Sequence, residues 1–126
     1  MKALAKFGRP SDFGTYRMID IPEPECGDND IILEVKAICG ADMKHYKVDN
    51  GSDEFGSVRG HEFAGEIVRV GKNVKDWRPG QRIVSDNTGH VCGRCPACER
   101  GDYLLCSEKV NLGLGYGYSG GFTKYC

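Results

Sequence analysis

Alternating hydrophobic and polar residues predict that this chain is built mainly from short β-strands. The clearest pattern is "DIILEVKAI" at 30–38. Leu33, Val35 and Ala37 fall on one face there, and Glu34 and Lys36 on the other, which is the two-residue period of a strand. One strand with a buried and a solvent-facing side is therefore predicted over residues 30–38.

Similar but shorter runs, separated by turn residues, predict the rest of the fold. A single brief helix is predicted from Ala41 to Lys47. The 18 glycines also favour a turn-rich chain. We therefore expect one mainly β domain, an all-β barrel or sandwich of short strands. The further predicted strands are 2–7, 16–21, "GEIVRVG" at 65–71, 82–84 after the Pro79-Gly80 turn, and "GGFTKY" at 120–125.

Composition narrows the class of protein. The chain has 126 residues and a net charge of −1, so neither a nucleic acid nor an anionic membrane surface is expected as a partner. No run approaches the ~20 apolar residues that cross a bilayer, and the start lacks the apolar core of a signal peptide. We expect a soluble, cytoplasmic protein, in which cysteines stay reduced.

Four of the seven cysteines lie in one short loop, "HVCGRCPACERGDYLLC". Their spacing, C-x₂-C-x₂-C-x₇-C, suits a closed tetrahedral zinc site that stabilises the fold. Free thiols or disulfides are the plainer alternative, and an iron–sulfur cluster is the chemical rival. Bacterial ferredoxins place the fourth cysteine sooner and follow it with proline, whereas Ser107 follows here, so zinc is favoured. The predicted ligands are Cys92, Cys95, Cys98 and Cys106.

A second set of metal-binding residue types is spread along the chain. Cys39 lies in "ICGADMKHY" and His61 in "RGHEFAGEIVRVG", with Asp42 and Glu62 close to them in sequence. An open catalytic zinc site uses three protein ligands. From the residues alone, a core cysteine and a hydrogen-bonded structural histidine are the more common interpretation.

Three motifs together resemble one known family. "GHEFAGEIVRVGKNV" matches the zinc-containing alcohol dehydrogenase signature G-H-E-x₂-G-x₅-G-x₂-V, and "ICG-x-D" and the cysteine loop occupy the corresponding places before and after it. Over residues 1–126 the sequence resembles the N-terminal GroES-like catalytic domain of a zinc-dependent medium-chain alcohol or polyol dehydrogenase. This resemblance implies a partly open GroES-like β-barrel with a zinc-binding loop.

The resemblance also implies site roles. Cys39 and His61 would ligate a catalytic zinc, Glu62 would lie at the metal, and Asp42 would hydrogen-bond the far nitrogen of His61. Zinc would act as a Lewis acid on a secondary alcohol or polyol, and NAD or NADP would accept the hydride in the full-length protein. Such enzymes are expected to be homo-oligomers.

Two departures from the family pattern affect this reading. Ala41 stands where the family usually has a serine or threonine that passes on the alcohol proton. Lys44 stands where a histidine is common. His45 or water would have to take over the transfer of the proton. "GYGYSG" at 115–120 has the form G-x-G-x-x-G, but no helix or acidic residue is predicted after it, so we interpret it as a glycine-rich loop.

The family's nucleotide-binding Rossmann domain, and commonly another zinc ligand, follow the region matched here. We therefore expect the 126 residues alone to be inactive and to hold the catalytic zinc only weakly. A different class of function stays open: a freestanding zinc-stabilised β module that binds a partner without catalysis. The Cys39 and His61 pair distinguishes the two, because a binding module has no use for an open zinc position.

Overall fold

The computed structural model describes residues 1–7, 15–42, 57–109, 114–115 and 118–126. Within them, six strands form two three-stranded antiparallel sheets, and only short helical turns occur. The mainly β fold predicted from the sequence is confirmed, and in place of a closed barrel the described residues form two open sheets. The strands are β1 (Lys2–Phe7), β2 (Thr15–Asp20), β3 (Ile31–Ile38), β4 (Ser57–Val58), β5 (Phe63–Val70) and β6 (Arg82–Ser85).

The first sheet has the order β2-β1-β4. Its central strand β1 pairs with β2 along its full length, from Lys2 opposite Asp20 to Phe7 opposite Thr15. Small and β-branched residues on one face of this sheet, Ala3, Ala5 and Val58, form a buried cluster. The strands predicted at 2–7 and 16–21 are confirmed to within one residue.

The second sheet has the order β3-β5-β6 and positions the candidate site. Ile38 at the end of β3 pairs with Phe63 at the start of β5. Leu33, Phe63 and Ile67 form its buried core. Residues just after β3 and just before β5 are therefore brought to the same corner of the sheet.

The predicted alternation of buried and exposed residues in β3 is wrong toward both ends of the strand. Leu33 is buried and Val35 packs against the core of the second sheet, as expected, but Ala37 is exposed and Ile32 is buried. The pairing with β5 shifts between Ile32 and Leu33 and again between Val35 and Ala37. Each such bulge places an extra residue in one strand, so the strict two-residue alternation does not continue across it.

The segment predicted as a last strand, 120–125, is not a regular strand. Thr123 and Tyr125 form isolated bridges with Ala3 and Glu34. On the first sheet, the Leu4 amide donates to the Phe122 carbonyl at 2.8 Å. On the second sheet, the amide of Leu33 donates to the Cys126 carbonyl at 2.7 Å, and the amide of Val35 donates to the Lys124 carbonyl at 2.9 Å. Because these bonds reach both sheets, residues 122–126 link the two sheets through their backbone, and we call them the linking segment.

The helical elements that lie fully within the described residues are not the one predicted from the sequence. The helix predicted from Ala41 to Lys47 lies, beyond Asp42, outside the described residues. A four-residue helix, α1 (Pro96–Glu99), and a 3₁₀ turn (Tyr103–Leu105) were not predicted. None of the helices in the described part of the chain is both long and apolar enough to cross a membrane.

Candidate metal centres

The four cysteines of the loop converge in space. Their sulfur atoms all lie within 4.8 Å of one another, and the sulfurs of Cys92 and Cys98 are 3.9 Å apart. Tetrahedral zinc with bonds of ~2.0–2.3 Å requires ligand atoms about 3.3–3.8 Å apart. All seven cysteines are free thiols, so no disulfide competes for these sulfurs.

Local backbone geometry explains how so short a loop gathers four sulfurs. Cys95 immediately precedes α1, and proline occupies the first helical position, where its missing N–H costs nothing. Gly101 ends this turn with φ +81°, which glycine adopts without strain. The 3₁₀ turn then returns the chain, with the Cys106 amide donating to Tyr103 at 3.1 Å. Each helical turn thus begins or ends at a cysteine.

The loop has almost no apolar core of its own. Within 92–106 only Ala97, Cys98 and Cys106 are buried, whereas Leu104 and Leu105 are 69% and 71% exposed. A hydrogen bond from the backbone of Cys98 lowers the pKa of Cys95 to about 6. Burial raises the pKa of Cys98 to about 12. The all-sulfur donor set fits zinc, which binds cysteine in its deprotonated form.

The second donor set assembles at the corner of the second sheet. Ligand atoms of Cys39, His61 and Glu62 lie within 4.8 Å of one another, and His61 Nε2 is 3.8 Å from Glu62 Oε2. Cys39 follows β3, the other two precede β5, and the Cys39 amide donates to the Glu62 carbonyl at 3.0 Å. One sulfur, one imidazole nitrogen and one carboxylate oxygen fit zinc with a coordination position left over.

Asp42 orients the histidine of this set. Its Oδ1 lies 2.9 Å from His61 Nδ1, and the Asp42 side chain is 5% exposed. An acceptor at Nδ1 assigns the proton to that nitrogen, so that Nε2 carries the lone pair that a metal requires. The other Asp42 oxygen is buried and accepts no hydrogen bond from the described residues.

The neighbouring Ala41 brings no hydroxyl group to this corner. Its amide approaches the Cys39 sulfur at 3.4 Å, and its methyl group cannot pass a proton. Lys44, which departs from the family pattern, and His45, the proposed substitute in proton transfer, lie outside the described residues.

An apolar cleft of about 450 Å³ opens beside Asp42. Tyr16 of the first sheet, Val35 and Ile38 of the second and Phe122 of the linking segment line it. A cleft of this size and lining, with few polar groups, suits a small organic molecule.

Sequence reasoning did not single out residues that pack behind His61. Arg59 is 3% exposed, and Gly115 and Gly120 lie against the backbone of residues 59–61. The burial of a charged residue cannot be deduced from its sequence position. The clustered glycines of "GLGYGYSGG" were a usable signal of close backbone approach.

A small β domain with an all-sulfur donor set and a mixed sulfur, nitrogen and oxygen set belongs to the zinc-binding class of proteins. This chain belongs to the alcohol dehydrogenase GroES-like domain family, which matches residues 27–126. The family expected from the three sequence motifs is therefore confirmed.

Individual relatives agree with this assignment. The chain is 67% identical over 129 residues to the zinc-type alcohol dehydrogenase-like protein YdjL of Escherichia coli. The aligned region covers 100% of this chain and 36% of that protein. It is 38% identical to L-threonine 3-dehydrogenase of Photorhabdus laumondii, covering 99% and 36%. Galactitol-1-phosphate dehydrogenase of Escherichia coli has a similar structure, with a TM-score of 0.78, 26% identity, and 100% and 35% coverage. The chain thus spans about a third of the length of these relatives.

Proposed function

We propose that this chain is the zinc-binding catalytic domain of a nicotinamide-dependent dehydrogenase that oxidises a secondary alcohol or polyol. Cys39, His61 and Glu62 hold the catalytic zinc in this proposal. The four cysteines Cys92, Cys95, Cys98 and Cys106 hold a second zinc that is structural.

The observation that carries the proposal is the convergence of Cys39, His61 and Glu62 at one corner of the sheet. A purely structural zinc has four protein ligands, whereas a catalytic zinc has three and one open position. The described residues supply three donors, with His61 oriented by Asp42. A binding module that needs zinc only for stability would already be served by the four-cysteine loop, so the second set favours catalysis.

When bound at this corner, zinc supplies Lewis acidity that lowers the pKa of a substrate hydroxyl. The chain's own residues contribute the rest. Asp42 keeps the His61 ring in one tautomer and one orientation, so that Nε2 faces the other two donors. The apolar cleft that opens beside Asp42 supports the binding of a small organic molecule near this corner.

The remaining assignments rest on the family. The relatives include a dehydrogenase named for threonine and one named for a polyol phosphate. These names support a small hydroxylated substrate for this protein and a nicotinamide as the hydride acceptor. The relatives are nearly three times as long as this chain. We therefore propose that residues 1–126 form one GroES-like domain and that a separate Rossmann domain of the same protein binds NAD or NADP.

Metal analysis of the protein as encoded by its gene tests this proposal. We expect two zinc ions per chain and NAD(P)-dependent oxidation of threonine or a polyol in a substrate panel. Cys39→Ser should retain one zinc and lose at least ~1000-fold in turnover, because the Lewis acid contributes several kcal/mol. Cys26→Ser, which alters a thiol outside both donor sets, is the matched control and should behave as wild type.

One zinc per chain in both the wild type and Cys39→Ser would contradict the catalytic site. Two zinc ions in both proteins would show that Cys39 is not a ligand. Full zinc content without alcohol oxidation by any substrate in the panel would favour the binding module instead.

Asp42→Ala should weaken metal binding at Cys39, His61 and Glu62 by roughly 10–100-fold, the usual cost of losing the acceptor behind a histidine ligand. The zinc of the cysteine loop should stay, because Asp42 does not contact it. Competition with a chromogenic chelator measures both affinities in one titration. A variant with wild-type affinity at both sites would show that the contact with His61 Nδ1 does not orient the ring.

A further inference from the structure

Arg59 is a buried, positively charged residue two positions before His61. The residue is 3% exposed, and its Nη1 donates to the carbonyl oxygen of Gly115 at 2.7 Å. A hydrogen bond from a charged donor is stronger than a neutral one, especially away from water. A buried, charge-assisted hydrogen bond therefore ties Arg59 to the backbone at Gly115.

The Gly115 turn in turn touches the peptide of His61. Gly115 has φ +74°, and a Cβ atom added to it would lie 3.2 Å from the backbone nitrogen of His61 and 3.2 Å from Gly60. Its amide donates to the carbonyl oxygen of Tyr118 at 2.8 Å. Since backbone packs on backbone here, a displacement of the turn would be transmitted to His61.

The other side of the same segment is held by main-chain bonds. Residues 59–62 lie between β4 and β5 and belong to neither strand. The amides of residues 120, 121 and 122 donate to the carbonyls of Val58, Gly60 and Arg59 at 3.0, 2.8 and 2.8 Å. Residues 59–62 thus lie between these bonds and Gly115, and among the described residues the Arg59 side chain donates to the Gly115 carbonyl.

We propose that Arg59 is a positioning residue for the donor set of Cys39, His61 and Glu62. It acts through the Gly115 turn, which fixes the backbone from which the His61 ring reaches the other two donors. This inference rests on the proposed function only in taking those three residues as metal ligands.

Cobalt(II) substitution in the protein as encoded by its gene tests the role of Arg59. The absorption bands that disappear in Cys39→Ser identify the metal at this site, separately from the four-cysteine metal. Arg59→Met should weaken cobalt binding at the Cys39-dependent site by about 10–100-fold, the range found for groups that orient metal ligands, and should change its bands. Arg59→Lys, which keeps the cation, should recover part of the affinity. The four-cysteine bands should be unchanged in both.

Arg69→Met is the matched control. It also removes an arginine-to-carbonyl hydrogen bond, to Pro24 at 2.9 Å, but on the exposed side of β5, and should leave both sets of bands as in wild type. Wild-type affinity and bands in Arg59→Met would overturn the inference. Absence of Cys39-dependent bands in the wild type would overturn the proposed catalytic metal, and this inference with it.

Gly115→Ala decides the question if Arg59→Met does not fold. It keeps the arginine but presses a methyl group against Gly60 and His61. Weaker cobalt binding at the Cys39-dependent site in both Gly115→Ala and Arg59→Lys supports the inference. Unchanged binding in both overturns it.

Discussion

Replacing Cys95 by serine is expected to release the zinc of the four-cysteine loop and to unfold residues 92–106. Zinc binding contributes ~10–16 kcal/mol in small zinc-dependent folds, so losing one of four ligands should cost about 3 kcal/mol or more. That corresponds to at least ~100-fold weaker zinc binding. The loop buries only three small side chains and has little else to hold it. Zinc content after dialysis against a chelator, and hydrogen exchange of the 92–106 amides, measure both effects.

Two matched cysteine variants accompany this experiment. Cys26→Ser should leave zinc content and exchange unchanged, and Cys39→Ser should lose the other metal while the loop stays protected. Full protection of the loop amides in Cys95→Ser, together with an unchanged zinc content, would contradict the assignment of the loop as a zinc site.

Gly65→Ala is expected to lower the free energy of unfolding by about 2–3 kcal/mol, the upper range for forcing extra volume into a packed interior. Gly65 lies on β5 opposite Val35, next to a bulge in β3. A Cβ atom there would overlap the carbonyl of Glu34 and also press on Leu33. Strand β3 cannot move away freely, because the Val35 amide is bonded to the linking segment at Lys124. Chemical denaturation measures the loss.

Val84→Ala is the control for Gly65→Ala. Val84 lies on the neighbouring strand β6 and is 77% exposed, so its truncation should change stability by no more than about 0.5 kcal/mol. Equal stability of Gly65→Ala and the wild type would mean that the two strands do not approach as closely as described.

The regular strands were predictable because each carries its own signal. The alternation in 30–38 and the turn residues around 65–71 and 82–84 located β3, β5 and β6 to within a few residues. The two register shifts between β3 and β5 were not predictable, because a bulge depends on how two strands pair rather than on either sequence. For the same reason Ala37 was assigned to the wrong face. The helix Pro96–Glu99 was missed because four residues are too few for a helical period.

The candidate site was predictable only in part. Spacing alone grouped the four cysteines, since all of them fall in one short loop. Cys39 and His61 were joined by the family signature, because no local pattern relates residues on different strands. The support behind them comes from Arg59 and Gly115, which are 56 residues apart in sequence. Such contacts become visible only when the backbone path is known.

The linking segment, 122–126, has a consequence for how the domain folds during synthesis. Leu4 and Phe122 are far apart in sequence, yet the hydrogen bond between their main chains is part of the link between the two sheets. Closing a contact of such long range is slow, because the entropy of the intervening chain is lost before the contact is gained. Each sheet can pair internally while the ribosome is still translating the domain, but the two sheets cannot be joined by this segment until residue 126 has left the exit tunnel. Ribosome-bound chains shorter than this should therefore expose the apolar sides of both sheets, and they would be natural clients for chaperones that bind nascent chains.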